Sequence, residues 1–330
     1  MRRTGILMVA ALLAASPLRV SLGAQEQGPI TETQAQAAEA LHEEIPERVD
    51  IITPHITDGS HLEIPWILPP FHLSFELPHW EPVHIGGVAI DLSPTRHVVF
   101  LIIASLLTMG MLLFAASASR RQHREGGTPK GFAGALEAMV LYLRNEVAMP
   151  NLGHGGEKFV PFVLTLFFFI LFANMLGLLP GGSTATGNIA VTATLAIITF
   201  IVIEIAGMRA LGWGYLNTVV YWPHDMPLAM KLPMTFIMTP VEIIGKFTKP
   251  FALAIRLFAN MTAGHIVVLA LIGLIFTFGG AGGLTAYVAI APLLMAVAIM
   301  LLEIFVALLQ AFIFTLLSAV FIGLIRTSHH

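Results

Sequence analysis

Five long apolar stretches, separated by short polar breaks, dominate the chain after residue 96. His97 to Ser117 holds no Asp, Glu, Lys or Arg, and about 20 apolar residues suffice to cross a hydrocarbon core roughly 30 Å thick. Phe159 to Leu179 is the second stretch and ends at Pro180 and the uncharged turn Gly181-Gly182-Ser183-Thr184. Ile189 to Leu211 is the third, charged only at Glu204 and Arg209 near its end. The last two, Met234 to Phe278 and Leu284 to Ile325, are divided only by Gly279-Gly280-Ala281-Gly282-Gly283. As helices each runs roughly 60 Å, about twice the core thickness. Each either hides two spans or is one steeply tilted helix. Apart from Pro292 no turn signal interrupts the second, so the pattern predicts two long, tilted, antiparallel helices. The expected fold is an all-α membrane domain over 96–330, with five transmembrane helices at about 97–117, 159–179, 189–211, 234–278 and 284–325.

Weaker patterns fill the gaps. Over Ala133–Val147, Leu136, Met139, Val140 and Leu143 share one helical face while Glu137, Arg144, Asn145 and Glu146 do not. That predicts an amphipathic helix, lying either at the cytoplasmic interface or on an ordinary protein surface. Trp213, Tyr215, Tyr221 and Trp222 form an interfacial aromatic belt in the loop 212–232. Residues 25–95 are polar, acidic and Pro-rich, with a short helix expected over Gln34–Glu44 and a strand or extended arm over His72–Leu77. Arg2 and Arg3, the apolar run Ile6–Ala15 and the small residues Ser21, Gly23 and Ala24 read as a signal peptide over 1–24, or as an uncleaved anchor. Either makes 25–95 an exported arm.

Charge orients these elements. Arg120, Arg121, Arg124 and Lys130 follow the first span, and Lys231, Lys246 and Lys249 lead into the fourth. By the positive-inside rule both sites are cytoplasmic, which puts the N-terminus outside a bacterial inner membrane and the C-terminus inside. Charged residues are only 11% of the chain against about 25% for soluble domains. There are no cysteines, so disulfides and thiolate metal sites are excluded. His55, His61, His72, His79 and His84 lack ligand spacing. No metal, cofactor or nucleic acid is expected.

Candidate chemistry lies in the last two stretches. A charge at bilayer depth costs roughly 2.5–3.5 kcal/mol on insertion scales, and Arg256 cannot shed its proton. Steps of seven and four residues put Glu242, Lys249, Arg256 and Asn260 near one face of the fourth span. His265, nine residues past Arg256, points the other way, and Glu303 and Gln310 share a face of the fifth span. Glu242 then lies toward the cytoplasm, Arg256 and Asn260 near the middle, and His265 and Glu303 toward the exterior. Two polar half-paths approach the middle without joining, and Arg256 stands between them as a barrier to proton leakage. Transport across the gap needs a mobile carboxylate, which must come from a partner. Glu204 and Arg209 read as interfacial. A secondary transporter binding an anion at Arg256 is the alternative, but it predicts repeats with broken midplane helices. No nucleophile–base pair suggests a hydrolase, so no enzyme is expected.

Several motifs are similar to those of subunit a of the F-type rotary ATP synthase. They are Arg256-Leu257-Phe258-Ala259-Asn260-Met261 with Ala263-Gly264, Leu308-Leu309-Gln310-Ala311-Phe312-Ile313-Phe314, Asn174-Met175 with Gly177-Leu178 and Pro180, and Thr186-Gly187-Asn188-Ile189-Ala190-Val191-Thr192. The resemblance covers about 95–325. It implies a non-catalytic stator of a proton channel, partnered by a ring of c subunits with one carboxylate each, by b-type peripheral stalk subunits and by the rest of the complex. It implies that Arg256 is the essential arginine facing the ring. Asn260, His265, Glu303 and Gln310 become the exterior half-channel and Glu242 the cytoplasmic one. Many bacterial members carry an acid at the position of His265 and a histidine at that of Glu303. This chain has the pair exchanged, which the resemblance makes compensated if the two side chains face each other. Asn188 replaces an acid of some members.

Overall fold

Each long apolar stretch folds as one unbroken helix, including the two that are twice a bilayer crossing. The computed structural model describes residues 59, 61–65, 72–81, 83–85, 88–90, 93–124, 131–179, 182–220, 222, 227–278 and 285–327. The signal segment 1–24, the helix expected over Gln34–Glu44 and the Gly279–Gly283 turn lie outside the described residues. The chain divides into two units, Met1–Val49 and Asp50–His330, and every described residue belongs to the second.

Two hairpins precede the first span. His61–Pro65 (β1) pairs antiparallel with His72–Glu76 (β2), Ile64 opposite Leu73. Val83–Ile85 (β3) pairs with Val88–Ile90 (β4). Of the strand or extended arm expected at His72–Leu77, the structure has a paired strand, and the helices expected in the membrane domain begin at residue 96. Among the described residues the fold is all-α only from residue 96 onward. The Arg96 N–H donates to the Gly59 carbonyl at 2.9 Å, tying this region to the start of the first span.

The helices are Arg96–Arg124 (α1), Gly131–Tyr142 (α2), Met149–Leu152 (α3), Val160–Gly177 (α4), Ile189–Leu211 (α5), Leu216–Val219 (α6), Leu228–Phe278 (α7) and Thr285–Thr327 (α8). Among the described residues five segments are long and apolar enough to cross a membrane, one each from α1, α4, α5, α7 and α8. Local chemistry sets their ends. The Asn188 side chain caps α5 by accepting from the Ala190 N–H at 2.9 Å. Gly212 closes the same helix at φ 54°, where a side chain is disfavoured. The 51 residues of α7 run on through Pro233, Pro240 and Pro250. A π-helical turn, Leu143–Ala148, continues α2. With this wider turn Leu136, Leu143 and Val147 all stay buried, and Met139 and Val140 pack alongside them.

Helices in lipid gain little from hydrophobic burial against one another, so close packing of small residues must hold them. On α8, Ala307, Ala311 and Ala319 are fully buried at helical spacing. Ala311 meets Phe167, Phe168 and Ile170 of α4 and Leu253, Leu257 and Met261 of α7 in one core cluster, and Ala319 meets Val160 and Val163 of α4 and Ile203 and Ala206 of α5 in the other. The guanidinium of Arg326, in the last turn of α8, donates to the carbonyls of Leu152 at 2.7 Å and His154 at 2.9 Å. A cation at that helix terminus is also electrostatically favoured.

Candidate functional site

Two cavities flank the middle of α7, and they differ in chemistry. The larger, about 320 Å³, is walled by His97 of α1, Thr184 and Gly187 of the α4–α5 loop, Thr262 and His265 of α7, and Glu303 of α8. Its volume corresponds to about ten waters at roughly 30 Å³ each. His265 Nε2 shares a hydrogen bond of 2.5 Å with Thr184 Oγ1. Glu303 is 8% exposed, and its Oε1 is buried with no hydrogen-bond partner. A Cβ built on Gly264 would collide with that carboxylate. The missing side chain lets the acid of α8 lie against α7 next to His265. The α4–α5 loop is braced to hold Thr184 there. Thr186 Oγ1 donates to Asn174 Oδ1 at 2.7 Å, and Asn174 Nδ2 donates to the Ala307 carbonyl at 3.3 Å. Gly177 leaves no room for a Cβ against Thr184.

The smaller cavity, about 80 Å³, is walled by Glu204 and Thr218 with Glu242, Lys246, Lys249 and Phe321. Lys246 Nζ reaches Glu204 Oε2 at 3.5 Å and donates to the Tyr215 hydroxyl and Thr218 Oγ1, each at 3.2 Å. It also lies 4.6 Å from the Tyr215 ring centroid. Glu204, expected to be merely interfacial, is thus held in a half-buried ion pair between α5 and α7. Sequence reasoning missed the pair because its members lie 42 residues apart. Glu242 lines this cavity beside Lys249, whose ammonium sits 5.4 Å from the Phe321 ring.

Arg256 lies on α7 between the two sets of wall residues, 242–250 and 262–272. Its side chain is exposed, and among the described residues no ion-pair partner reaches it. The face behind it, Leu253, Leu257 and Met261, is buried in the core, so the guanidinium points outward. Asn260, which the resemblance assigned to the exterior half-channel, is exposed one turn from Arg256, on the face its spacing predicted, and is not on the large cavity's wall. The reason is the helical step, since four residues return nearly to the face of Arg256. Gln310 is 4% exposed within α8, beside Ala311 in the core, and lines neither cavity. Asn188 is occupied as a helix cap. His97 and Thr184 belong to the large cavity's wall without having been singled out as site residues. The only signal for His97 was a titratable residue opening an apolar run. Among the described residues no cluster of His, Asp and Glu could hold a metal ion. The unbroken course of α7 and α8 also departs from the interrupted midplane helices of secondary transporters.

Residues 98–323 match the model of a family described as ATP synthase A chain. The chain is 43% identical over 280 residues to the "ATP synthase subunit a" of Chloroherpeton thalassium, covering 84% of this chain and 77% of that one. It is also 43% identical over 303 residues to the protein of that name from Myxococcus xanthus, covering 83% and 92%. With "ATP synthase subunit a 2" of Chlorobaculum tepidum it shares 40% identity over 289 residues, covering 80% and 76%.

Proposed function

The chain belongs to the ATP synthase A chain family, a non-catalytic membrane subunit, and on that premise we propose that it is the stator of a proton path built around Arg256. The observation that carries the proposal is an outward-facing guanidinium, without an ion-pair partner among the described residues, set between two cavities that hold acidic side chains on opposite stretches of α7. A permanent cation near mid-membrane needs an anion. The family supplies one as a carboxylate on each subunit of a c-ring turning against this face.

The large cavity is then the exterior half-path. A proton arriving there passes by His265 and Glu303 to a ring carboxylate and neutralises it. A neutral site crosses lipid at low cost. On the far side of its turn it meets the small cavity, the cytoplasmic half-path at Glu242 and Glu204, and gives the proton up. The restored carboxylate is drawn to Arg256 by about 4 kcal/mol at 4 Å and an effective dielectric of 20, enough to favour ionisation without locking the ring. Asn260, exposed beside Arg256, faces the ring with it, and Gln310 supports the helix pair from behind. Each proton descending 100 mV releases about 2.3 kcal/mol, which rotation passes on for ATP synthesis. In this orientation residues 25–95 are exported and the C-terminus is cytoplasmic in a bacterial inner membrane. The α2 helix lies at the cytoplasmic interface, and b-type stalk subunits hold the stator.

Replacing Arg256 by Ala tests the reading. ATP-driven acidification of inverted vesicles is expected to disappear while the c-ring still co-purifies. Near-normal pumping in that variant overturns it.

A further inference from the structure

The large cavity holds a titratable group that the path above does not use. His97 opens α1, is 4% exposed, and shares the cavity wall with His265 and Glu303. These three are the ionisable side chains on that wall. Much of the rest is apolar, including Leu178, Leu179, Val268 and Met300, so protons cannot be handed along a continuous polar lining. They need water and a few exchangeable groups. His265 is already engaged with Thr184, and Glu303 lies deep against Gly264. His97 stands in the first turn of the first span, on the side where the proton enters, and one position before the stretch matched by the family model. An imidazole at such an entry is suited to proton transfer, because one ring nitrogen can accept while the other releases.

We propose that His97 is the entry relay of the exterior half-path, taking a proton from outside water on one ring nitrogen and releasing the proton on the other into the cavity toward His265 and Glu303. No proton accumulates on the ring, and a half-turn of the imidazole again turns its free nitrogen outward and its N–H toward the cavity. The proposal rests on the functional reading above, and its test separates the two.

Whole ATP synthase carrying this subunit is reconstituted in proteoliposomes. ATP synthesis is driven by a potassium diffusion potential at equal pH on both sides, in imidazole or in phosphate buffer of equal capacity. In phosphate, His97→Ala and His97→Gln are each expected to lower the rate roughly a hundredfold, the low end for loss of a proton-transfer group. In imidazole the His97→Ala rate is expected to recover by several-fold while the unaltered complex does not change. The c-ring co-purifying with each variant reports assembly, and if His97→Ala fails to assemble, His97→Gln carries the rate comparison. Unaltered rates in the variants overturn the relay. So does a loss that imidazole does not restore in assembled His97→Ala, which would make His97 structural. If the unaltered complex sustains no proton-driven synthesis, the functional reading fails with it.

Discussion

The two cavities beside α7 handle charge in opposite ways. The large one holds Glu303, whose buried oxygen has no hydrogen-bond partner, and two histidines. The small one holds Glu204 bound to Lys246, with Glu242 and Lys249 close by. A lone buried carboxylate beside imidazoles can gain and lose a proton without breaking an ion pair. A carboxylate in an ion pair gives up its partner's attraction when it is protonated. On the proposed reading the first arrangement therefore suits capture of protons and the second suits their release.

The sharpest way to break this comparison is to neutralise one acid on each side. Glu303→Gln is expected to lower ATP-driven pumping about a hundredfold, within the range for a proton-transfer group. Glu242→Gln should cost far less, because Glu204 remains. Equal losses in a vesicle acidification assay would erase the distinction. Exchanging the pair, His265→Glu with Glu303→His, should recover part of the Glu303→His loss. A double variant no better than the single one would show that the shared cavity does not couple them. The next effect is on stability. Lys246→Met strands the Glu204 carboxylate at 17% side-chain exposure, expected to cost about 1–3 kcal/mol. Adding Glu204→Leu should return most of it, since an apolar pair can replace a buried ionic one. Thermal unfolding in detergent reads both. The smallest effect is expected at Asn188. Asn188→Ala should cost about 1 kcal/mol through the lost cap and leave pumping unchanged, whereas a pumping defect would give Asn188 a place on the path.

How much was legible in the sequence depended on the range of the interaction. The bounds of α5, Ile189–Leu211, are those its apolar run predicted, because a cap and a glycine mark them locally. The exposure of Arg256 against the cavity-facing His265 follows from nine helical steps, again within one element. Asn260 lies one turn from Arg256 and is exposed like it, as the four-residue step predicted. The Lys246 cluster, the bracing of Thr184 through Asn174 and Thr186, and the entry of α1 into the large cavity were not legible. Each depends on elements meeting in space, and no periodicity within one stretch records which neighbour a helix will find. The hairpin β3–β4 was missed because three-residue strands leave almost no alternation to detect.

The prolines of α7 make the helix mechanically uneven. Each lacks the N–H that would bond four residues back. The stretch before Arg256 therefore lacks three rungs of its backbone ladder, at Pro233, Pro240 and Pro250, while the stretch beyond has no proline. One arm bends readily and the other resists, with the guanidinium just past the last soft point. On the proposed reading the guanidinium is thus carried at the end of an arm that can give under a partner pressing on this face, while the arm beyond it stays straight.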